Sequence, residues 1–402
     1  MKKHIVIISI YYPPIQSIAS NRLYSFSKYL NKDKFDITVV TLASDIQTPN
    51  GMEGVDVVRV PNTLFFKPLT FTRKTNKLHH YAKVIYNKTI MYWRQNQYAS
   101  WMRAAEKTMV DLVNKKGIDL MLSSFAPVDT HLVALKIKQL FPQIKWIADM
   151  RDEMSLNYYL SFKEKAYLAK IEKNILKFSD AITSVSKPLL DDFSSLAKKE
   201  MPFLEIRNGF DFLVEDKYVK KSIFNITYMG NFYGQINPKK FLEALTLLYK
   251  EKSIDDFRIS FIGVKTHFTV DESIKSFVQV VDTVPHSQAI ELMQESGALL
   301  LIHPNNGRKG VFTGKLFEYM ATLRPIIALV DPDDVAAKLI EKSSTGYVSD
   351  SEDVEAIKEV IKKAYNDWKN DKFLNVNIEV INLHHRAKQL DRLEKLIDRL
   401  LS

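Results

Sequence analysis

Cysteine is absent from the 402 residues. Disulfides, thiolate nucleophiles and Cys-ligated zinc are therefore excluded, and a reducing compartment suits such a chain. Glycine is scarce, with 12 residues, roughly 3% against a usual ~7%, which argues against several glycine-rich phosphate loops. There is no Walker loop, no Gly-x-Gly-x-x-Gly and no Gly-x-Ser-x-Gly elbow. No run of 18 apolar residues occurs, so no transmembrane helix is expected. The start, Met1-Lys-Lys-His4 and then Ile5–Ile10, resembles a signal peptide only briefly. Its apolar run meets Tyr11-Tyr-Pro-Pro14 and lacks a small-residue cleavage site. A buried parallel strand and a cytoplasmic protein are expected instead.

Hydrophobic residues make up 46% of the chain and charged residues 26%, enough for two or three domains with proper cores. The net charge of +10 is unevenly placed. Residues 1–200 hold 30 Lys/Arg against 18 Asp/Glu, whereas residues 201–402 hold 27 against 29. One half is thus expected to meet something anionic.

Short apolar runs alternate with segments of helical period. Strands are expected at His4–Ile10, Asp36–Leu42, Val55–Val60, Leu120–Ser123, Lys145–Ala148 and Ala181–Val185. A second series falls at Phe224–Met229, Arg258–Ile262, Val278–Val281, Ala298–Ile302 and Pro325–Leu329. Strand–helix alternation at this spacing predicts parallel sheets covered on both faces. Two series predict two doubly wound domains, at 1–205 and 206–382, followed by an amphipathic helix over 383–402. A cleft between two such domains is a natural place for a nucleotide-bearing substrate.

Three stretches carry more than fold class. In Gly310-Val-Phe-Thr-Gly-Lys-Leu-Phe-Glu318-Tyr-Met-Ala321 a strand feeds a loop with Arg308 and Lys309, and a helix starts near Thr313. The helix N-terminus, with Gly314 allowing close approach and Lys315 beside it, makes an anion site. Glu318, one turn in, can accept hydrogen bonds from a sugar diol, or is simply an acid near a helix start. The second stretch runs from Ile226 through Gly230, Asn231 and Gly234 to Pro238, and then into Lys239 and Lys240, which are either phosphate ligands or solvated helix-face lysines. The third joins Leu122-Ser-Ser-Phe-Ala-Pro127-Val-Asp-Thr-His131 to Trp146-Ile-Ala-Asp149-Met-Arg151-Asp152. Three charges after a buried strand call for an internal Arg–Asp pair or for binding of acceptor hydroxyls.

Taken in order, these stretches resemble glycosyltransferase family 4, in the subgroup with a Gly-Lys-Leu-Phe-Glu-Tyr-Met-Ala donor segment. The resemblance implies the GT-B fold of two facing Rossmann-like domains. It also implies retaining, metal-independent transfer from a nucleotide sugar to a glycan or polyprenyl-diphosphate-linked acceptor, as in bacterial-type surface polysaccharide synthesis. No cofactor beyond the nucleotide-sugar co-substrate is implied. Donor binding falls to Gly230, Asn231, Lys239, Arg308, Lys309, Thr313, Gly314, Lys315 and Glu318, with Glu318 as the ribose-binding second glutamate of the family's Glu-x7-Glu motif. The first glutamate falls at Gly310, and the family's two phosphate cations fall at Asn231 and Ile236, so all three are missing. Lys239, Arg308, Lys309 and Lys315 are the possible substitutes. His131, Asp149 and Asp152 become candidate catalytic residues, His131 by touching the transferred sugar, although it also reads as a plain helix-start histidine. Ser20, Arg22 and Arg151 become acceptor-binding candidates. The alternatives are a catalytically degenerate glycan- or nucleotide-sugar-binding protein, or another GT-B enzyme such as a nucleotide-sugar epimerase.

Asp331-Pro-Asp333-Asp334 has an Asp-x-Asp pattern but precedes a helix, which predicts N-capping rather than a metal site. Residues 65–107 hold nine Lys/Arg, one acid and nine aromatics. Cations interleaved with Tyr and Trp suit an anionic membrane surface, with single-stranded nucleic acid and an ordinary helical cover as other uses. The rest of the chain has no nucleic-acid module, so peripheral attachment at the inner face of the cell membrane is the expectation.

Overall fold

The computed structural model describes residues 2–15, 17–44, 53–63, 77–93, 98–157, 159–214, 219–304 and 309–402. The chain separates into two compact units, one of residues 1–184, 190–205 and 390–402, the other of 185–189 and 206–389.

The first unit is built on a seven-stranded sheet in the order β3-β2-β1-β4-β5-β6-β7. Its strands are β1 (Lys3–Ser9), β2 (Phe35–Leu42), β3 (Val55–Val60), β4 (Leu120–Phe125), β5 (Lys145–Met150), β6 (Ala181–Ser184) and β7 (Phe203–Glu205). All neighbours run parallel. Ile5, Val6, Ile7 and Ile8 are all fully buried, as a strand covered on both faces requires. The helices in this part of the chain are α1 (Ile18–Tyr29), α2 (Lys77–Trp93), α3 (Ala99–Lys116), α4 (Asp129–Leu140), α5 (Phe162–Phe178) and α6 (Lys187–Leu196). Ser161 starts α5 with a reciprocal capping box to Glu164.

The second unit has a six-stranded parallel sheet in the order β10-β9-β8-β11-β12-β13. These are β8 (Phe224–Met229), β9 (Phe257–Ile262), β10 (Val278–Val281), β11 (Ala298–His303), β12 (Ile326–Val330) and β13 (Gly346–Ser349). Its helices are α7 (Lys239–Lys250), α8 (His286–Gln294), α9 (Gly314–Ala321), α10 (Val335–Ser343), α11 (Val354–Lys369) and α12 (Ile378–Asn382), whereas the last helix, α13 (Arg386–Leu401), lies from residue 390 on in the first unit. One face of the sheet packs Phe241, Leu245 and Leu248 of α7 with Ile357, Ile361 and Tyr365 of α11. The other packs Leu316, Phe317 and Met320 of α9 with Ala336 and Ile340 of α10. Each such fully buried side chain contributes about 1.5–3 kcal/mol relative to exposure. Within the first unit Lys34 meets Glu394 at 2.7 Å and Asp398 at 3.1 Å, both from α13.

In both sheets the strand order reverses beside the first strand of the unit, between β1 and β4 and between β8 and β11. Ligands of open α/β sheets bind at such reversals, beyond the carboxyl ends of the strands. The second reversal is visibly opened. β8 and β11 pair at Ala298–Ile226 and Leu299–Thr227, and further along the Met229 N–H donates to the Tyr319 hydroxyl at 3.0 Å. A side chain from α9 thus satisfies a backbone donor that the parting strands would leave unmade.

Candidate functional site

At the first reversal the sequence brings Arg22 of α1 against Asp149 at the end of β5. Arg22 Nη2 lies 2.7 Å from Asp149 Oδ1 and Arg22 Nε lies 2.9 Å from Oδ2. Ser124 donates to Oδ2 at 2.7 Å and Thr183 to Oδ1 at 2.8 Å. Burial pushes the Asp149 carboxyl up, but Arg22 and the two hydroxyls outweigh it and hold it below the usual carboxylate range. Both members of the pair are almost wholly inaccessible, as is Ser20. The internal pair of Asp149 is thus with Arg22, from another element, and Ser20 is buried in the first turn of α1. Arg151 extends the network, donating to Ser124 Oγ at 3.1 Å and to the Ala126 carbonyl at 3.0 Å. Asp152 follows it on the loop, close enough to favour the Arg151 charge.

His131 also departs from expectation. It is 0% exposed, with Nδ1 2.7 Å from Ser123 Oγ, which accepts in turn from Trp146 Nε1 at 2.8 Å. Burial lowers its pKa to about 3, so the imidazole is neutral at physiological pH. It packs between Phe125 and Trp146 and presents no surface to a sugar.

At the second reversal the donor candidates divide. Asn231 has its amide oxygen engaged by Lys265 N at 2.8 Å and Thr266 N at 3.1 Å, which ties down the loop after β9. Ile236, at the family's second cation position, lies in the core. Lys309 pairs with Asp331, and Gly310 N donates to Asp334 Oδ1 at 2.7 Å. The expected capping by the Asp-x-Asp segment thus takes another form: Asp334 stands at the start of α10, but its carboxylate holds the 309–310 loop. Gly310 itself has φ +84, and a Cβ there would fall 2.8 Å from Pro188 Cβ and 3.0 Å from Ser186 Oγ. A glutamate has no room at that position. Lys239 lines a groove with Gln235, Asn237, Ser351 and Glu352. Arg308 lies outside the described residues.

Lys315 is different. Its ammonium donates to the Tyr228 hydroxyl at 2.8 Å and sits 4.1 Å from the Tyr228 ring centroid. Among the described residues no carboxylate lies within ion-pair distance of it, and burial lowers its pKa to about 8. Gly230, at φ +94, passes so close that a Cβ there would lie 3.2 Å from Lys315 Cε. Thr313 precedes α9, opened by Gly314, and its hydroxyl is buried with no hydrogen-bond partner among the described residues. Glu318 Oε1, one turn into α9, lies 2.9 Å from His286 Nε2. A partly buried cation and an orphan hydroxyl thus stand together at one helix N-terminus, the kind of place that suits an anion.

Residues 223–367 match the family model described as glycosyl transferases group 1. The match falls within the second unit and shows that this part of the chain is similar to the group 1 glycosyl transferases. Across the whole chain the fold is GT-B. Sucrose-phosphate synthase from Thermosynechococcus elongatus superposes with a TM-score of 0.69 at 15% identity, over 99% of both chains. HepE from Anabaena, in complex with UDP and glucose, gives 0.65 at 12%, over 99% of this chain and 100% of its own. The lipopolysaccharide outer core galactosyltransferase WaaB, in its apo form, gives 0.61 at 9%, over 98% and 99%. No curated protein sequence matches the chain. In the second unit sequence reasoning did not reach the roles of Tyr228 and His286, nor the hold of Asp334 on the 309–310 loop. Each acts across more than twenty residues of chain, and only the switch-point geometry could have pointed to them.

Proposed function

We propose that the protein transfers a sugar from a nucleoside-diphosphate sugar to a glycan or polyprenyl-diphosphate-linked acceptor, with retention of anomeric configuration and without a metal ion. The observation that carries this reading is Lys315, a partly buried ammonium with no carboxylate within ion-pair distance among the described residues. Breaking the anomeric C–O bond builds positive charge on the sugar and negative charge on the leaving diphosphate. Lys315 and the first N–H groups of α9 stabilise the latter, doing the work of the cations absent at Asn231 and Ile236. Glu318 then accepts from the ribose hydroxyls. HepE was solved with UDP and with UDP-glucose, so uridine nucleotides are the first to test. Purified protein given UDP-, GDP- and ADP-sugars should release the diphosphate from one class. Glu318→Ala should raise KM for that donor at least tenfold. Unchanged KM in this variant would rule out the assignment of Glu318.

The acceptor side is read from the basic segment. Within α2, Leu78, Tyr81 and Ile85 are 82%, 67% and 64% exposed, and at spacings of three and four they share one helix face. An exposed apolar ridge within a segment of excess Lys/Arg suits an anionic leaflet, where it would present a lipid-linked acceptor. Not all of the segment faces outward: Trp101 is fully buried and belongs to the core of the first unit. No described helix is long and apolar enough to cross a membrane. Vesicles containing phosphatidylserine should retain the protein, and neutralising Lys74, Lys77, Lys83 and Lys88 together should release it. Equal retention of the two proteins would count against this role.

A further inference from the structure

Glu318 is not alone in its pocket. His286 opens α8, 32 residues earlier in the chain, yet its Nε2 meets Glu318 Oε1 at 2.9 Å. The ring is 57% exposed and the carboxylate 21%. Two further charges face the imidazole, Arg386 and Asp211. They are occupied elsewhere: Arg386 Nη1 stands 3.8 Å from Asp211 Oδ2, and Arg386 Nε donates to the Asn208 carbonyl at 3.2 Å. The bond to Glu318, outweighing burial, holds His286 above the usual histidine range.

A glutamate side chain turns about three bonds, and holding one rotamer costs entropy. A carboxylate offers about four lone-pair sites. The His286 N–H takes one of them on Oε1 and fixes the plane of the group, leaving Oε2 and the second site on Oε1 for a pair of hydroxyls. Resting on the donor-site reading above, we propose that His286 is a positioning residue for nucleotide recognition: it holds the Glu318 carboxylate in the orientation that accepts the ribose 2′- and 3′-hydroxyls. His286 does not touch the reacting atoms; its effect passes through Glu318 as preorganisation.

The test uses the full chain with UDP, GDP, ADP and CMP as probes, titrated calorimetrically at pH 7. For the nucleotide that binds, His286→Ala should weaken affinity about tenfold. His286→Gln should restore most of it, because its amide N–H can donate to the same oxygen. The double variant His286→Ala/Glu318→Ala should bind no more weakly than Glu318→Ala alone, since a positioner has nothing left to position. The dideoxy nucleotide lacking both ribose hydroxyls should bind wild type and His286→Ala alike, a readout that a merely structural role would not move. Wild-type affinity in His286→Ala, or additive losses in the double variant, would overturn this inference while leaving the donor site standing. Failure of all four nucleotides to bind wild type would overturn the donor-site reading, and this inference with it.

Discussion

Replacing Lys315 with methionine is expected to lower kcat/KM for the nucleotide sugar by about 10²–10³, the usual loss when one preorganised charge stabiliser is removed, while making the ligand-free protein more stable. Both signs come from the same geometry. The ammonium is partly buried against Tyr228, with no carboxylate within ion-pair distance among the described residues. Its proton is therefore held less tightly in the fold than in the unfolded chain. Between about pH 8 and the ordinary lysine value of 10.5, the unfolded chain binds more protons, and stability rises with pH. Below pH 8 the full penalty is present. Methionine keeps the length and removes the charge, so denaturant melts at pH 7 should shift upward by a few kcal/mol. An anion beside Lys315 favours the charged form. Nucleotide affinity in wild type should thus be greatest below pH 8 and fall as pH rises through it, whereas Lys315→Met should show weak, pH-independent binding. A methionine variant that binds nucleotide as wild type does would remove the carrying observation for the proposed function.

The sequence offered four cations for the donor phosphates without ranking them, and the reason is physical. Helix period and motif spacing locate Lys239, Lys309 and Lys315 on loops and helix starts, but burial and partners are properties of the packed chain. Asp331 takes Lys309, Lys239 lines a groove with Ser351 and Glu352, and Lys315 stands partly buried beside Gly230 with no ion-pair partner among the described residues. The missing first glutamate was legible as an absence; that it follows from Pro188 and Ser186 pressing on Gly310 was not. Most strands of both sheets could be read because uninterrupted apolar runs are what a doubly covered parallel strand needs. Two strands were missed for local reasons. β7 has three residues, too few to show any period. β13 starts at Gly346, where β12 passes so close that a Cβ would fall 2.1 Å from the Ile326 carbonyl oxygen. There, close approach of backbone displaced the β-branched residue expected of a strand.

The second large effect is expected at Arg22 and Asp149, whose partnership across 127 residues was outside any sequence pattern. Removing one partner leaves the other charge buried, at a cost of about 3–5 kcal/mol. Arg22→Ala and Asp149→Ala should therefore both unfold the first unit at much lower denaturant than wild type. Replacing both, as Arg22→Met/Asp149→Leu, should cost less than either single change, because no unpaired charge remains; Ser124 and Thr183 would still lose their acceptor. Fluorescence suits the measurement, since Trp93, Trp101 and Trp146 lie in the first unit and only Trp368 in the second, and a two-unit chain need not unfold in one step. Acid should reveal the same network in two stages. His131 is neutral in the fold and titrates near 6.5 when unfolded, so the unfolded chain takes up a proton first and stability begins to fall below about pH 6.5. The Asp149 carboxyl is depressed in the fold; its contribution is complete above the ordinary carboxylate value and is lost as pH drops through the folded one. The Asp149→Asn variant should lack the second stage and keep the first. A double variant less stable than both single variants would show instead that the four hydrogen bonds to Asp149, more than charge balance, hold this part of the sheet together.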